Sequence, residues 1–229
     1  MAKILFSKPK SRIMEKIIRI VVYAILLAFV ISGCNKVYYS TLEKMGIHKR
    51  DILVDRVEKA RDSQLQAKEE FSSALERFAS VVNYDGGDLE EVYNQLKDEL
   101  KDLEARAQEV HDRIEAVEEV AEALFDEWEQ ELEQYSSKRL KLASQRKLRE
   151  TKKRYEQLIR AMKKAEAKID PVLVPLRDEV LFLKHNLNAR AIASLKGELS
   201  RIQIDVSALI KDMERAIAEA DSFIKTLEQ

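Results

Sequence analysis

The sequence predicts an all-α fold, an elongated antiparallel coiled coil or helical bundle of three to four long helices. Along the middle of the chain, two rows of mainly apolar residues each repeat every seven positions. They interleave at spacings of four and three, the pattern of a coiled-coil seam. Glycine and proline are scarce, at five and three of 229 residues, while charged residues make up 35%. That composition is typical of long helices rather than of a sheet.

Net charge and cysteine content exclude several classes of function. A formal net charge of -1 gives no global argument for a nucleic-acid partner or for an acidic ligand. The single cysteine, Cys34, excludes an internal disulfide and a zinc site built on cysteines. The length suits one large domain or two small ones.

Residues 1–33 are predicted to be a lipoprotein signal peptide. Six basic residues and one acid precede an apolar run at 20–31, which is shorter than the roughly 20 residues that span a bilayer. The run ends in Ile31-Ser32-Gly33-Cys34, which resembles a bacterial lipobox. In this interpretation signal peptidase recognises the first three of these residues, and Cys34 carries the acyl chains that anchor the protein. The alternative is an uncleaved inner-membrane anchor with an incidental cysteine.

A lipid-proximal tether, residues 34–50, is expected to lead into a helical bundle at 51–229. The first helix is predicted to run from Asp51, as its N-cap, to about Asn83. Gln64 interrupts one of its two apolar rows, and we interpret it as a residue that sets helix register rather than as a ligand. The rows comprise Val57, Gln64, Phe71 and Phe78, and Leu53, Ala60, Ala67, Ala74 and Val81. Asp85-Gly86-Gly87-Asp88 should then reverse the chain.

The second helix is predicted over residues 88–133, where no glycine or proline interrupts the heptads. Its rows comprise Leu89, Leu96, Leu103, Val110, Val117 and Leu124, and Tyr93, Leu100, Ala107, Ile114, Ala121 and Trp128. This stretch holds 18 acidic and four basic residues, whereas residues 138–168 hold 13 basic and three acidic ones. We expect the two to pair antiparallel, since their charges are complementary. The alternative is an anionic-lipid or nucleic-acid patch at Arg146, Lys147, Arg149, Lys152, Lys153 and Arg154.

The third helix should start after Ser137 and continue its apolar row past Pro171 and Pro175. Either a kink at the prolines or a new helix capped at Asp170-Pro171 fits the sequence. A break near residues 186–190, with Asn188 as the cap, then separates it from the last helix. The row of the third helix comprises Leu148, Tyr155, Met162, Ile169, Leu176 and Leu183. Those of the last comprise Leu195, Ile202, Leu209, Ala216 and Phe223, and Leu199, Val206, Met213, Ala220 and Leu227.

Two polar segments are candidates for an interaction site, one at the start of the first helix and one before the last helix. If the third helix ends early, the two need not be far apart. The alternative is that these side chains only cap helix ends. The candidate residues are His48, Arg50, Asp55, Lys184, His185, Asn188 and Arg190.

The sequence predicts no enzyme, no metal site, no cofactor and no nucleic-acid partner. The three histidines, His48, His111 and His185, are far apart in the chain. Glu109-Val110-His111 has the wrong spacing for the Glu-x-x-His pair of di-iron bundles. There is no Gly-x-Ser-x-Gly motif to position a nucleophilic serine.

Four segments carry a resemblance to a known family. They read GIHKRDILVDR at 46–56, VVNYDGG at 81–87, ALFDEW at 123–128 and LFLKHNLNARAI at 181–192. With these segments the chain resembles a proteobacterial lipoprotein family, domain of unknown function 2959, over essentially all of the mature chain. The resemblance implies a lipid anchor and a helical architecture, and it supplies no catalytic residues.

The residue after Cys34 bears on location. In such lipoproteins an aspartate there favours retention in the inner membrane. This chain has Asn35 instead, so the periplasmic face of the outer membrane is expected, with the inner membrane as the alternative.

Three interpretations of function follow. The first is a lipid-anchored periplasmic coiled coil with a structural or interaction role in the cell envelope, through a protein partner or self-association. The second is a periplasmic adaptor or chaperone that holds an apolar cargo between its helices. The third is a metal-dependent enzyme in a bundle core. A seam of leucine, valine and alanine favours the first.

Overall fold

Apolar residues at regular heptad spacing favour long helices. The computed structural model describes residues 48–82, 89–186 and 188–227, and the regular secondary structure of these residues is helical. The chain divides into two units, Met1–His48 and Lys49–Gln229, and the five helices within the described residues belong to the second. They confirm the predicted all-α helical bundle. The helices are α1 (Lys49–Val82), α2 (Leu89–Leu132), α3 (Lys138–Glu166), α4 (Ile169–His185) and α5 (Ala189–Leu227).

Ion pairs between α1 and α2 show that these helices run antiparallel. Lys49, at the start of α1, lies 3.0 Å from Glu127 near the end of α2. Arg77, near the end of α1, pairs with Glu99 near the start of α2. The same ordering holds between α2 and α3, where Glu118 pairs with Lys163 and Glu133 with Lys141. The predicted antiparallel pairing of the acidic and basic segments is confirmed.

The last helix closes the bundle against the first. Arg61 pairs with Asp221 and Lys68 with Glu214, so α1 and α5 are antiparallel as well. On its other side α5 packs against α3 and α4, which also pack on α2. The result is an up-down-up-down bundle of four members, in which α3 and α4 together form the third.

The predicted apolar rows form the interior of this bundle. In α1, Ala60, Ala67 and Ala74 bring the helices close, and Phe71 and Phe78 fill the space beside them. In α5 the row of Leu195, Ile202, Leu209, Ala216 and Phe223 is buried throughout. Gln64 is fully buried in the same interior, at the seam position that the sequence assigns to it.

The helix ends differ from the prediction in small, local ways. α1 begins at Lys49, so Asp51 lies in the first helical turn and interacts with the helix dipole instead of acting as the N-cap. The predicted tether, 34–50, therefore overlaps the helix by two residues. Ser137 is the N-cap of α3 as predicted, and its side chain accepts a hydrogen bond from the Leu140 N–H. The predicted turn at 85–88 lies outside the described residues.

The third member is broken rather than kinked, and the break precedes the prolines. Ala167 and Lys168 form a turn, and α4 begins at Ile169. The expected cap at Asp170 is therefore wrong by two residues, and Lys168 takes the cap position without a side-chain hydrogen bond. Pro171 falls in the first turn of α4, where its missing N–H removes no helical hydrogen bond. The apolar row runs on through the break.

Candidate functional site

The predicted lipidation site lies outside the described residues. This applies to Cys34 and to Ile31, Ser32 and Gly33, the residues predicted for signal peptidase recognition. Their assignment therefore stays a prediction from the sequence.

The first group of predicted interaction residues lies on the exposed surface where α1 begins. Arg50 pairs with Asp51 at 3.6 Å, and Asp55 pairs with Lys59 at 2.8 Å, one turn further along the same helix. His48 is exposed. Exposed pairs of this kind contribute a few tenths of a kcal/mol, so they leave these side chains largely free to meet a partner.

The second group surrounds the junction of α4 and α5. Lys184 and His185 are exposed in the last turn of α4, where cations interact favourably with the helix dipole. Asn188 stands directly before α5, and its N–H donates to the Asn186 carbonyl at 2.7 Å. This position agrees with the predicted cap. The side chain of Arg190 lies outside the described part.

The structure does not bring the two groups together. Arg50 adjoins Lys49, which is level with Glu127 of α2. The second group lies past Arg177 of α4, which pairs with Glu104 at 2.6 Å, toward the other end of α2. The two levels on α2 differ by 23 residues or more, which is at least roughly 35 Å of helix. The groups are therefore separate because α3 and α4 together extend as far as α2 does.

A cationic surface on α3 is the feature that the charge argument underestimated. Lys152 and Lys163 pair with acids of α2, and Lys141 pairs with Glu133 just after it, as the antiparallel arrangement predicts. Other basic side chains in the first half of α3 are exposed, and none has a carboxylate within ion-pairing distance among the residues described. These are Lys138, Arg139, Arg146, Lys147, Arg149, Lys153 and Arg154.

The start of α3 and the loop before it expose large apolar side chains. Tyr135 is 41% exposed, Leu140 44% and Leu142 56%. They belong to the α2–α3 tip, by which we mean residues 133–149. Two contacts fix the tip to α2 and to the bundle. The Trp128 Nε1 of α2 donates to the Ser144 hydroxyl of α3 at 2.8 Å, and Leu148 is buried.

The tip projects past its neighbours. α1 begins level with Glu127, and α5 ends at Leu227, only six residues after Asp221, which pairs with Arg61. Neither helix therefore continues alongside the tip. The sequence contains the leucines and the cations, but only the relative lengths of the packed helices show that both are exposed there.

Charged side chains line two of the clefts on the bundle surface. One, of about 460 Å³, lies between α1 and α2 and includes the forked ion pair of Arg106 with Glu70, at 2.7 and 3.1 Å. The other, of about 490 Å³, lies beside the α3–α4 break and includes His111, Glu166 and Arg177. Both are grooves between helices rather than apolar chambers.

Two ion-paired groups flank the α3–α4 break. Asp212 of α5 is buried and lies 2.8 Å from the Lys164 Nζ and 2.6 Å from the Lys168 Nζ. Hydrogen bonds from these lysines lower the pKa of Asp212 below its usual value. On the opposite side, the His111 Nδ1 lies 2.6 Å from Glu166, and this hydrogen bond raises the pKa of His111. The sequence did not single out Asp212, although the spacing of Lys164 and Lys168 places both on one helix face.

Within residues 48–82, 89–186 and 188–227, no helix is long and apolar enough to cross a membrane. In the same ranges, no three His, Cys, Asp or Glu side chains lie close enough to hold a metal ion.

Comparison with known proteins identifies a family but no characterised relative. No curated protein and no solved structure matches the chain. One family model, described as protein of unknown function, matches residues 38–227, which is most of the sequence. The predicted resemblance is thereby confirmed at the level of the family. The chain belongs to the DUF2959 family.

Proposed function

We propose that this chain is a lipid-anchored protein of the bacterial envelope with a structural or interaction role. In this proposal Cys34 carries the lipid after cleavage behind Gly33, and Asn35 directs the protein to the periplasmic face of the outer membrane. The tetrapeptide Ile31-Ser32-Gly33-Cys34, at the end of a basic and apolar leader, supports the anchor.

The filled interior of the bundle is the observation that supports an interaction role. Mainly apolar side chains fill the seam of the bundle, and two of its clefts are surface grooves lined by ion-paired residues. Because the interior is filled, the outer surface of the bundle is where a partner would bind. The alternative, an adaptor or chaperone with an apolar cargo between its helices, would need an apolar chamber, and neither of these clefts is one.

Cys34→Ser tests the anchor. The variant should lose radioactive palmitate label and accumulate as a precursor that keeps residues 1–33, because the serine hydroxyl cannot replace the thiol that accepts the lipid. Asn35→Asp is the matched control, since it keeps the cysteine and the label but should move the protein to the inner-membrane fraction. Equal label on Cys34→Ser and the parent would refute lipidation at Cys34.

The same cells test the interaction role. A membrane-permeant crosslinker should join the anchored chain to an envelope protein or to a second copy, and Cys34→Ser should weaken that product. A chain recovered only as an uncrosslinked monomer, with its label intact, would contradict the interaction role while leaving the anchor in place.

A further inference from the structure

One face of the α2–α3 tip and the adjoining turn of α3 carries cations that the bundle does not neutralise. Arg139, Leu142, Arg146, Arg149 and Lys153 recur at spacings of three and four, so they line one face of α3. All five side chains are exposed, and the four cations have no carboxylate partner within the described ranges. The Arg146 Nε donates only to the Leu142 carbonyl of its own helix, at 3.3 Å.

Pairing with α2 does not account for this face. Glu129 near the end of α2 and Glu133 just after it bind Lys152 and Lys141, which lie on a different side of α3. The charge complementarity that positions α3 therefore leaves an outward stripe of positive charge.

Exposed apolar side chains accompany these charges. Leu142 lies within the stripe, while Leu140 in the first turn of α3 and Tyr135 in the loop before it are exposed on other sides of the tip, where α1 and α5 no longer cover α3. Surfaces that sit at a membrane interface combine these two features, since apolar side chains enter the boundary of the acyl region while lysine and arginine bind anionic headgroups.

The start of α1 is at the same end of the bundle as the tip. Lys49 is level with Glu127, five residues or about 8 Å before the end of α2. Between Cys34 and Lys49 lie 14 residues, which span at most about 50 Å. A lipid on Cys34 would therefore keep this end of the bundle within reach of the membrane that holds it.

We infer that the α2–α3 tip binds the surface of a membrane that contains anionic phospholipids. The inference rests on the proposed lipid anchor for the orientation of the bundle. The chain then contacts the membrane twice, through Cys34 and through the cations and leucines of the tip, and the opposite end of the bundle, with the junction of α4 and α5, points away from the lipid.

A probe at Leu142 tests the inference without the lipid. The full chain with Cys34→Ser and Leu142→Cys has one thiol, which takes a polarity-sensitive fluorophore. Its emission should shift to the blue on phosphatidylcholine vesicles that contain phosphatidylglycerol and stay unchanged on phosphatidylcholine alone. The same fluorophore on a chain with Cys34→Ser and Lys101→Cys, far from the tip, should not shift on either.

Two matched sets of substitutions then test the cations. Arg139→Gln, Arg146→Gln and Arg149→Gln together should raise the lipid concentration at half-maximal shift on the order of 100-fold, since each basic residue adds to the attraction of an anionic surface. Lys97→Gln, Lys101→Gln and Lys184→Gln remove as many exposed charges away from the tip and should leave the shift unchanged. The leader is present in every variant, so the differences report on the tip.

The outcomes separate this inference from the anchor. An unchanged probe on anionic vesicles, or equal effects of the two sets of substitutions, would overturn lipid binding by the tip. A shift that needs no vesicles and grows with protein concentration would also overturn it, because a second copy would then cover the tip. Since the chain carries no lipid in these measurements, neither result alters the palmitate test of Cys34.

Discussion

At the scale of single residues, Asp212 holds the α3–α4 break in place. It is 4% exposed, and a carboxylate so placed loses most of its hydration. Lys164 of α3 and Lys168, which directly precedes α4, compensate from either side of the turn. Both ammonium groups remain partly in water, so they neutralise Asp212 without being buried themselves. One side chain of α5 thus contacts both parts of the broken third member.

Asp212→Asn should lower the free energy of unfolding by about 1–3 kcal/mol at neutral pH, because it removes the charge from these hydrogen bonds. The pKa of Asp212 is lower in the folded chain, so its contribution is complete above the unfolded value near 3.8 and disappears as pH falls through the folded pKa. Urea unfolding of the two proteins between pH 7 and pH 2 measures the difference, which should shrink as pH falls below the unfolded value.

Asp205→Asn is the control for this substitution. Asp205 lies on the same helix, is half-buried, and has no ion-pair partner in the described part of the chain. The Asp205→Asn variant should have nearly the same free energy of unfolding as the parent at any pH. Equal losses for both variants would mean that Asp212 acts through helix propensity and not through the two lysines.

At the scale of the helices, apolar periodicity determined most of what could be predicted. The apolar rows of α2, in a stretch without glycine or proline, predicted its ends to within one residue. The α3–α4 break could not be located in the same way. The prolines mark where a helix cannot easily continue, but the turn at Ala167 and Lys168 lies before them and is supported by Asp212, a contact distant in sequence.

Leu103→Asp tests whether the seam of α2 is the buried face. Leu103 is 2% exposed, and a carboxylate there would lack a partner, so the variant should lose about 3–5 kcal/mol of unfolding free energy. Lys101→Asp introduces the same side chain two residues away on the exposed face and should change stability by about 0.5 kcal/mol or less. Urea unfolding followed by circular dichroism distinguishes them, and similar curves for the two variants would argue against the seam.

At the scale of the whole molecule, charge predicted one of the pairings between members but not the closure of the bundle. The opposite charges of the acidic α2 and the basic α3 predicted their pairing from the sequence. The sequences of α1 and α5 show no such charge complementarity. These two helices pack through their apolar rows and through separate ion pairs such as Arg61 with Asp221. The exposure of the tip is likewise invisible in the sequence, because it depends on where α1 and α5 stop beside α2 and α3.

The buried Gln64 helps to explain why the helices of the bundle pack in one register. It is 0% exposed, and neither amide atom has a hydrogen-bond partner among the residues described. An amide buried in this way costs free energy that an apolar residue would not. Polar residues on an apolar seam can offset such a cost by disfavouring other registers of packing, as the sequence analysis expects of Gln64.

Gln64→Leu should therefore raise the free energy of unfolding by about 1–3 kcal/mol and at the same time loosen the register. In a chain with Cys34→Ser, cysteines in place of Arg77 of α1 and Glu99 of α2, whose side chains form an ion pair, should be joined by a short bifunctional maleimide when Gln64 is present and less completely when leucine replaces it. Gln157→Leu, on the exposed face of α3, should change neither measurement. A less stable Gln64→Leu variant would show that the amide has a bound partner, and a more stable one with full crosslinking would show that Gln64 does not set the register.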